Sequence, residues 1–217
     1  FEGLDGSGKG TQTALTAQKL QQRGMDLRQI TFPNYASDSS ALVKMYLSGQ
    51  FGDKPDDVNA YAASSFYAVD RFASYKTDWG EFYRSGGLVL SDRYTTSNAV
   101  HQCAKLPPMH WDGFLNWLFD FEYKKIGIPA PDAVFYLAVN PEVSQKLLEE
   151  RYHGDESKKD IQEKDKEYIA RSRAAAEYCA KQFGWHRIEC TCEEDVNSIR
   201  SVEAINAEIL AKLECIL

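Results

Sequence analysis

The chain has 217 residues, 43% apolar and 26% charged, which fits one soluble globular domain with a full core. Its formal net charge of −7 argues against a general nucleic-acid binder, which would present a basic surface. The longest clean apolar run, Ala133 to Val139, is of strand length and too short to span a membrane.

The chain opens on Gly3-Leu4-Asp5-Gly6-Ser7-Gly8-Lys9-Gly10-Thr11. Glycines at this spacing let backbone N–H groups turn inward around a phosphate, and Lys9 can reach the β and γ phosphates. A helix from about Thr11 to Arg23 follows and adds its positive N-terminal dipole. The position after Lys9, where Ser or Thr is usual, is Gly10, so the hydroxyl that would contact magnesium is displaced to Thr11 or absent.

Further strands are predicted at Leu27–Phe32, Leu88–Ser91, Ala133–Val139 and His186–Glu189, with Phe1 as the end of a first one. Helical patterns cover Ser39–Leu47, Val58–Ser85, Asp112–Lys125, Pro141–Arg151, Asp165–Phe183 and Asp195–Leu213. Such alternation predicts a five-stranded parallel sheet flanked by helices on both faces, with ligands beyond the carboxyl ends of the strands. The phosphate loop, Phe32-Pro33 and Asp92-Arg93-Tyr94 all fall at those ends. The segment 152–166 is highly charged and poor in apolar residues to anchor it, so it reads as a mobile lid within a single domain of 1–217. In the last helix Val202, Ile205, Ile209 and Leu213 form a stripe expected to face the core.

Cys103, Cys179, Cys190, Cys192 and Cys215 are an odd, scattered set. Cys190-Thr191-Cys192 has no second pair at zinc spacing, so a reduced, cytoplasmic chain is expected. No signal peptide is visible, although the chain starts abruptly.

Three constellations bear on chemistry. Asp92-Arg93 sits where a buried strand meets the crevice; the carboxylate can hold a magnesium-bound water and the guanidinium can bridge phosphates, or the two can form a structural pair. Asp5 inside the phosphate loop makes sense as a hydrogen-bond acceptor, a magnesium ligand or a structural element of the loop. Tyr67 and Arg71 share one helix face, as a nucleotide clamp or as a core aromatic beside a salt bridge.

Together these motifs resemble the thymidylate kinase family over nearly the whole chain. The resemblance rests on the phosphate loop with its internal Asp5, Phe32-Pro33 followed by Tyr35, and Tyr67-Ala68-Val69-Asp70-Arg71. Asp92-Arg93-Tyr94-Thr95-Thr96-Ser97-Asn98 and a charged lid with Asp160 and Glu163 complete it in family order. It implies a P-loop NTPase fold of the nucleoside monophosphate kinase type, ATP as co-substrate, Mg2+, and phosphoryl transfer to dTMP. A homodimer packed through helices is also implied.

By position, the resemblance gives ATP the loop residues Gly3, Asp5, Gly6, Ser7, Gly8, Lys9, Gly10 and Thr11, with Arg151 near the adenine. It gives dTMP Phe32 and Tyr67 at the base, Asn98 at the base edge, Arg71 at the phosphate, Tyr35 near the phosphate and sugar, and Ser97 and His101 beside them. Lys9 and Arg93 would bridge the phosphates. Gly6 stands where some relatives carry an arginine; relatives without it place catalytic cations in the lid, which here offers Lys158 and Lys159. Magnesium would then be held through phosphates, waters, Asp92 and Asp5 or Glu163. The rival readings are another deoxynucleotide or deoxynucleoside kinase and a non-catalytic nucleotide-binding module. The missing Asn-Lys-x-Asp motif counts against a GTPase.

Overall fold

The computed structural model describes residues 1–155, 159–192, 195 and 198–217. Strands β1 (Leu27–Thr31) and β2 (Leu88–Asp92) pair in parallel, Leu27 opposite Leu88 and Thr31 opposite Asp92. Strands β3 (Phe135–Ala138) and β4 (His186–Glu189) form a second parallel pair. The first residues of the chain bond to both pairs. Phe1 N donates to Ser91 O and Arg93 N to Phe1 O; Glu2 N donates to Phe135 O and Leu137 N to Glu2 O. The first predicted strand is thus present as a single bridging residue, Glu2 opposite Tyr136, rather than as an extended strand. All four residues of β3 are buried, as expected of a strand covered on both faces.

Helices cover both faces. On one, α1 (Lys9–Gln22) and α10 (Val202–Leu213) bury Ala17, Leu20, Ile205, Ile209 and Leu213 against Leu27, Leu90, Leu137 and Ile188. The predicted stripe faces the core except at Val202, which lies exposed in the first turn. On the other face α5 (Thr95–Cys103), α6 (Trp111–Phe119) and α9 (Lys166–Gln182) pack through Ala99, Cys103, Phe114, Leu118, Ala175 and Cys179. All five cysteines are free thiols.

Three helix boundaries depart from expectation. The helix predicted over 58–85 is α3 (Ala60–Ser74), a widened π turn (Tyr75–Trp79) and α4 (Gly80–Arg84). Gly80 permits this, because a Cβ there would sit 2.2 Å from the Tyr75 carbonyl oxygen. The helix predicted over 112–125 likewise passes from α6 into a π turn, Asp120–Ile126. The one predicted to begin at 195 begins at Val202, where the Ser201 hydroxyl caps it. α5 was not expected at all: Thr-Thr-Ser-Asn is a weak helix former, and Ala99, Val100 and Cys103 hold it by packing.

In the stretch between α7 (Pro141–Tyr152) and α9, the described residues nearest α9 are anchored better than their charge suggests. It contains α8 (Ile161–Lys164), whose Ile161 is buried with Val43, Tyr46 and Leu47, the latter three on α2 (Ala41–Leu47). Among the described residues no helix is long and apolar enough to cross a membrane.

Ile209→Ala should leave a cavity between α10 and the sheet and lower stability by about 2–5 kcal/mol, read as a lower urea midpoint.

Candidate active site

The loop between Glu2 and α1 is shaped by glycine where side chains have no room. Gly6 has φ 78°, and a Cβ there would lie 2.4 Å from the Ser144 carbonyl of α7. Gly8, φ 79°, turns the chain into α1 at a left-handed position. Lys9 is therefore the first helical residue, and its ammonium folds back over the loop. Nζ donates to Leu4 O at 3.1 Å and lies 3.6 Å from Asp5 Oδ1. Burial, followed by the nearby Arg93, lowers its pKa to about 8. Gly10 and Thr11 are exposed on the first turn, and Ser7 is buried.

Asp92, at the end of β2, points at this turn: a Cβ on Gly10 would meet its Oδ2 at 3.1 Å. Its Oδ1 is buried with no hydrogen-bond partner. The place where a Ser or Thr would stand is thus bordered by a carboxylate with an open acceptor.

Arg93 follows with φ 65°, a left-handed conformation that a non-glycine residue holds only where its surroundings impose it. The guanidinium joins the loop to α5: Nη2 donates to Asp5 Oδ1 at 2.5 Å, Nη1 donates to Ser97 Oγ at 3.1 Å, and Glu2 Oε1 lies 3.7 Å away. Glu2, fully buried, also accepts from Gly3 N, Thr96 Oγ1 and Ser97 Oγ. Burial would raise the pKa of Asp5, but Arg93 and then Lys9 outweigh it and hold the carboxyl well below the usual range. His101 Nε2 sits 3.2 Å from Arg93 Nη1. Arginine can only donate, so Nε2 is the acceptor and the imidazole is neutral. Burial, with Arg93 beside it, pushes its pKa down to about 3.

Every residue expected at dTMP lines one cavity beside Asp5. Phe32 and Tyr35 border it after β1, Tyr67 and Arg71 from α3, and Arg93, Ser97, Asn98 and His101 from β2 and α5. Arg71, however, is enclosed. Its Nε donates to Glu122 Oε2 at 2.7 Å and its Nη2 to Oε1 at 2.5 Å, a fork-to-fork pair of which neither partner is more than 1% exposed. Glu122 also accepts from Thr95 Oγ1 at 2.7 Å and Asn98 Nδ2 at 3.0 Å, which fills its acceptor sites. The second Nδ2 hydrogen of Asn98 goes to Ser64 O. Glu122, on the π turn after α6, was not singled out in the sequence; the signal was a carboxylate inside the aromatic run Phe119-Asp120-Phe121-Glu122-Tyr123. Glu2 was not singled out either.

Of the predicted lid residues, Lys158 lies outside the described residues. Lys159 is buried, and Arg151 is exposed at the end of α7. Asp160 reaches the same cavity and caps α8, accepting from Gln162 N and Glu163 N. Burial, with Asp5 and Glu163 nearby, raises its pKa to about 7. Glu163 accepts from Tyr152 Oη and from Asp160 N, so its oxygens are turned to the lid's own frame. Among the described residues no three His, Cys, Asp or Glu side chains gather as a metal cage.

The Thymidylate kinase family model matches residues 1–199. The chain is 30% identical over 187 residues to the thymidylate kinase of Mycobacterium tuberculosis, covering 85% of this chain and 86% of that protein. It is 26% identical over 216 residues to the thymidylate kinase of Plasmodium falciparum, covering 96% and 90%. The crystal structure of thymidylate kinase from Ehrlichia chaffeensis superposes with a TM-score of 0.68 over 98% of this chain and 96% of that one, at 19% identity, a likeness of fold.

Two outcomes test this geometry. Glu122→Ala leaves Arg71 buried and unpaired and should cost about 3–5 kcal/mol of stability, measured by urea unfolding. Asp160 ionises near 3.8 when unfolded and near 7 when folded. Its contribution to stability is therefore present below pH 3.8 and lost as pH rises towards 7. Asp160→Asn should gain stability relative to wild type between pH 5 and pH 8; an unchanged difference across that range counts against the assignment.

Proposed function

The chain belongs to the thymidylate kinase family, and from that premise we infer that it transfers the γ-phosphoryl group of ATP to dTMP, giving dTDP and ADP for dTTP synthesis. The observation that carries this reading is Asp5, which lies between the two cations a phosphoryl transfer needs. Lys9 approaches it from the phosphate-loop side and Arg93 from the cavity side. A donor phosphate on the loop and an acceptor phosphate in the cavity then meet over one pair of cations. A nucleotide phosphate attacks already ionised, so in-line transfer needs positioning and charge stabilisation rather than a strong base.

The charges beside the loop set a further demand. Lys9 and Arg93 face Glu2, Asp5 and Asp92, so the cluster is not cationic by itself. Two nucleotides add more negative charge. We therefore propose that Mg2+ and the lid lysines, Lys158 and Lys159, complete the balance when the segment 152–166 closes. The open acceptor of Asp92 fits a magnesium-bound water, with Asp5 beside it. Such an ion would neutralise charge on the phosphate oxygens. Glu163, turned toward Tyr152 and Asp160, is the weakest of the three proposed carboxylates.

In the cavity Arg93 is the better phosphate cation. Glu122 already neutralises Arg71, so Arg71 gains little from a dianion and serves better as a donor to a base carbonyl. Asn98, with both N–H groups committed, has only its Oδ1 left to accept. A donor beside an acceptor matches the O4 and N3–H edge of thymine and mismatches that of cytosine. Tyr67 supplies the stacking face.

We also propose a single domain whose Glu2 bridge is the centre of a five-strand parallel layer, supported by its bonds to both strand pairs. A homodimer is supported by the exposed apolar face of α3, where Tyr61, Val69 and Phe72 lie along one side. Five free thiols suit a cytoplasmic enzyme.

An ADP-release assay with ATP and Mg2+ tests the function. Turnover should require a nucleotide acceptor, with dTMP favoured over dUMP by about 1–3 kcal/mol, the worth of one methyl, and dCMP poorer still. Turnover with thymidine and not dTMP would make this a nucleoside kinase. Lys9→Ala should lower kcat by about 10²–10³-fold or more.

A further inference from the structure

A second cavity, of about 470 Å³, lies between the phosphate loop, α7 and α9; the one beside Asp5 that holds the acceptor residues measures about 80 Å³. Small-molecule sites span roughly 300–1,000 Å³. The two cavities share Asp5, His101 and Gln162, yet Phe32, Tyr67, Arg71 and Arg93 line only the smaller. Gly8, Lys9, Gly10 and Thr11, where donor phosphates would sit, do not line the larger one either. It is therefore a space that neither nucleotide needs.

Its walls are largely apolar: Leu137 and Val139 at the end of β3, Leu148 from α7, and Ile169 from α9. Ser7 lines it too. This side chain is 3% exposed, and its Oγ has no hydrogen-bond partner. Lys166 and Arg173 stand on the α9 side, seven residues and so about 10 Å apart, with Ile169 and Ala170 between them on the same helix face. Among the described residues neither cation makes an ion pair. The carboxylates that border the cavity are already engaged. Asp5 accepts from Arg93, and Glu163 accepts from Tyr152 and from Asp160 N. The charge left for an occupant to meet is positive.

An empty apolar void forfeits dispersion contacts along its walls, and a buried hydroxyl without a partner is costly to keep. A molecule with an apolar body and an anionic end removes both costs and meets the uncommitted guanidinium. We propose that this cavity is a binding site for a small organic anion, an apolar or aromatic carboxylate or sulfonate, whose charged group pairs with Arg173 and whose body lies against Leu137, Leu148 and Ile169. Such an occupant touches the phosphate loop at Leu4 and Ser7 without entering either nucleotide position.

The test uses 8-anilinonaphthalene-1-sulfonate, an aromatic anion whose fluorescence rises in an apolar site, and its uncharged counterpart N-phenyl-1-naphthylamine. Both are titrated into the full chain. Wild type should bind one molecule of either per chain, and adding ADP or dTMP should shift the apparent Kd to a plateau at most. Arg173→Gln should weaken the anion on the order of fivefold, the worth of a half-exposed ion pair, and leave the neutral probe unchanged. Ala170→Trp, at an exposed position facing the cavity, should abolish binding of both probes without lowering the urea midpoint. Arg173→Gln is a polar exchange on a helix surface, so it decides the role of charge whether or not the bulkier variant folds. Absence of binding to wild type overturns the proposal. So does binding that survives in a folded Ala170→Trp, which would place the probe on another apolar surface. An apparent Kd that climbs without limit as nucleotide is added would place it in a nucleotide site, with the same consequence. Equal loss of both probes in Arg173→Gln overturns the assignment of an anion. The readout is binding alone, so it is independent of which nucleotide accepts the phosphoryl group.

Discussion

Cations gathered in a buried crevice repel one another, and this fold answers by giving each guanidinium a buried carboxylate. Arg93 has Asp5 and Glu2; Arg71 has Glu122. The pairing decides more than charge. The Arg71–Glu122 fork fixes the plane of that guanidinium, and Glu2 and Glu122 also accept from side chains of α5, Glu2 from the Thr96 and Ser97 hydroxyls and Glu122 from the Thr95 hydroxyl and the Asn98 amide. The N-terminal turn of α5 is thereby tied to the phosphate loop at Glu2 and to the π turn after α6 at Glu122. A sequence as weakly helical as Thr-Thr-Ser-Asn becomes a rigid wall of the site because its polar side chains have buried partners.

The two carboxylate systems divide the labour of the crevice. Asp5 is shared by Arg93 and Lys9 and is partly exposed, so an incoming phosphate can compete for those cations. Glu122 is sealed, so Arg71 keeps its partner and presents a neutralised pair. Burial therefore separates the two arginines of the same cavity, one sealed with its carboxylate and one beside a partly exposed one.

The segment after α7 adds a third element. Ile161 fastens α8 to α2, and Asp160 and Glu163 cap α8 reciprocally, which places Asp160 beside the cavity. Burying Asp160 beside Asp5 sets one carboxylate against another.

The sequence by itself determined the parallel α/β layout, the phosphate loop, and the residues that border the cavity beside Asp5. Each rests on local signals: apolar runs of strand length, glycines at fixed spacing, and motifs at strand ends. It also pointed to the family, through the order of those motifs. Only the tertiary structure decided which polar groups satisfy one another. Glu2 carries no local signature and Glu122 only its place in an aromatic run, because a buried carboxylate is defined by partners tens of residues away. For the same reason the division of 58–85 by the Gly80 turn, the helix at 95–103 and the anchoring of Ile161 could not be read from spacing. Periodicity reports which face of an element is apolar, whereas hydrogen-bond partnership in a dry interior depends on what other elements bring to that face.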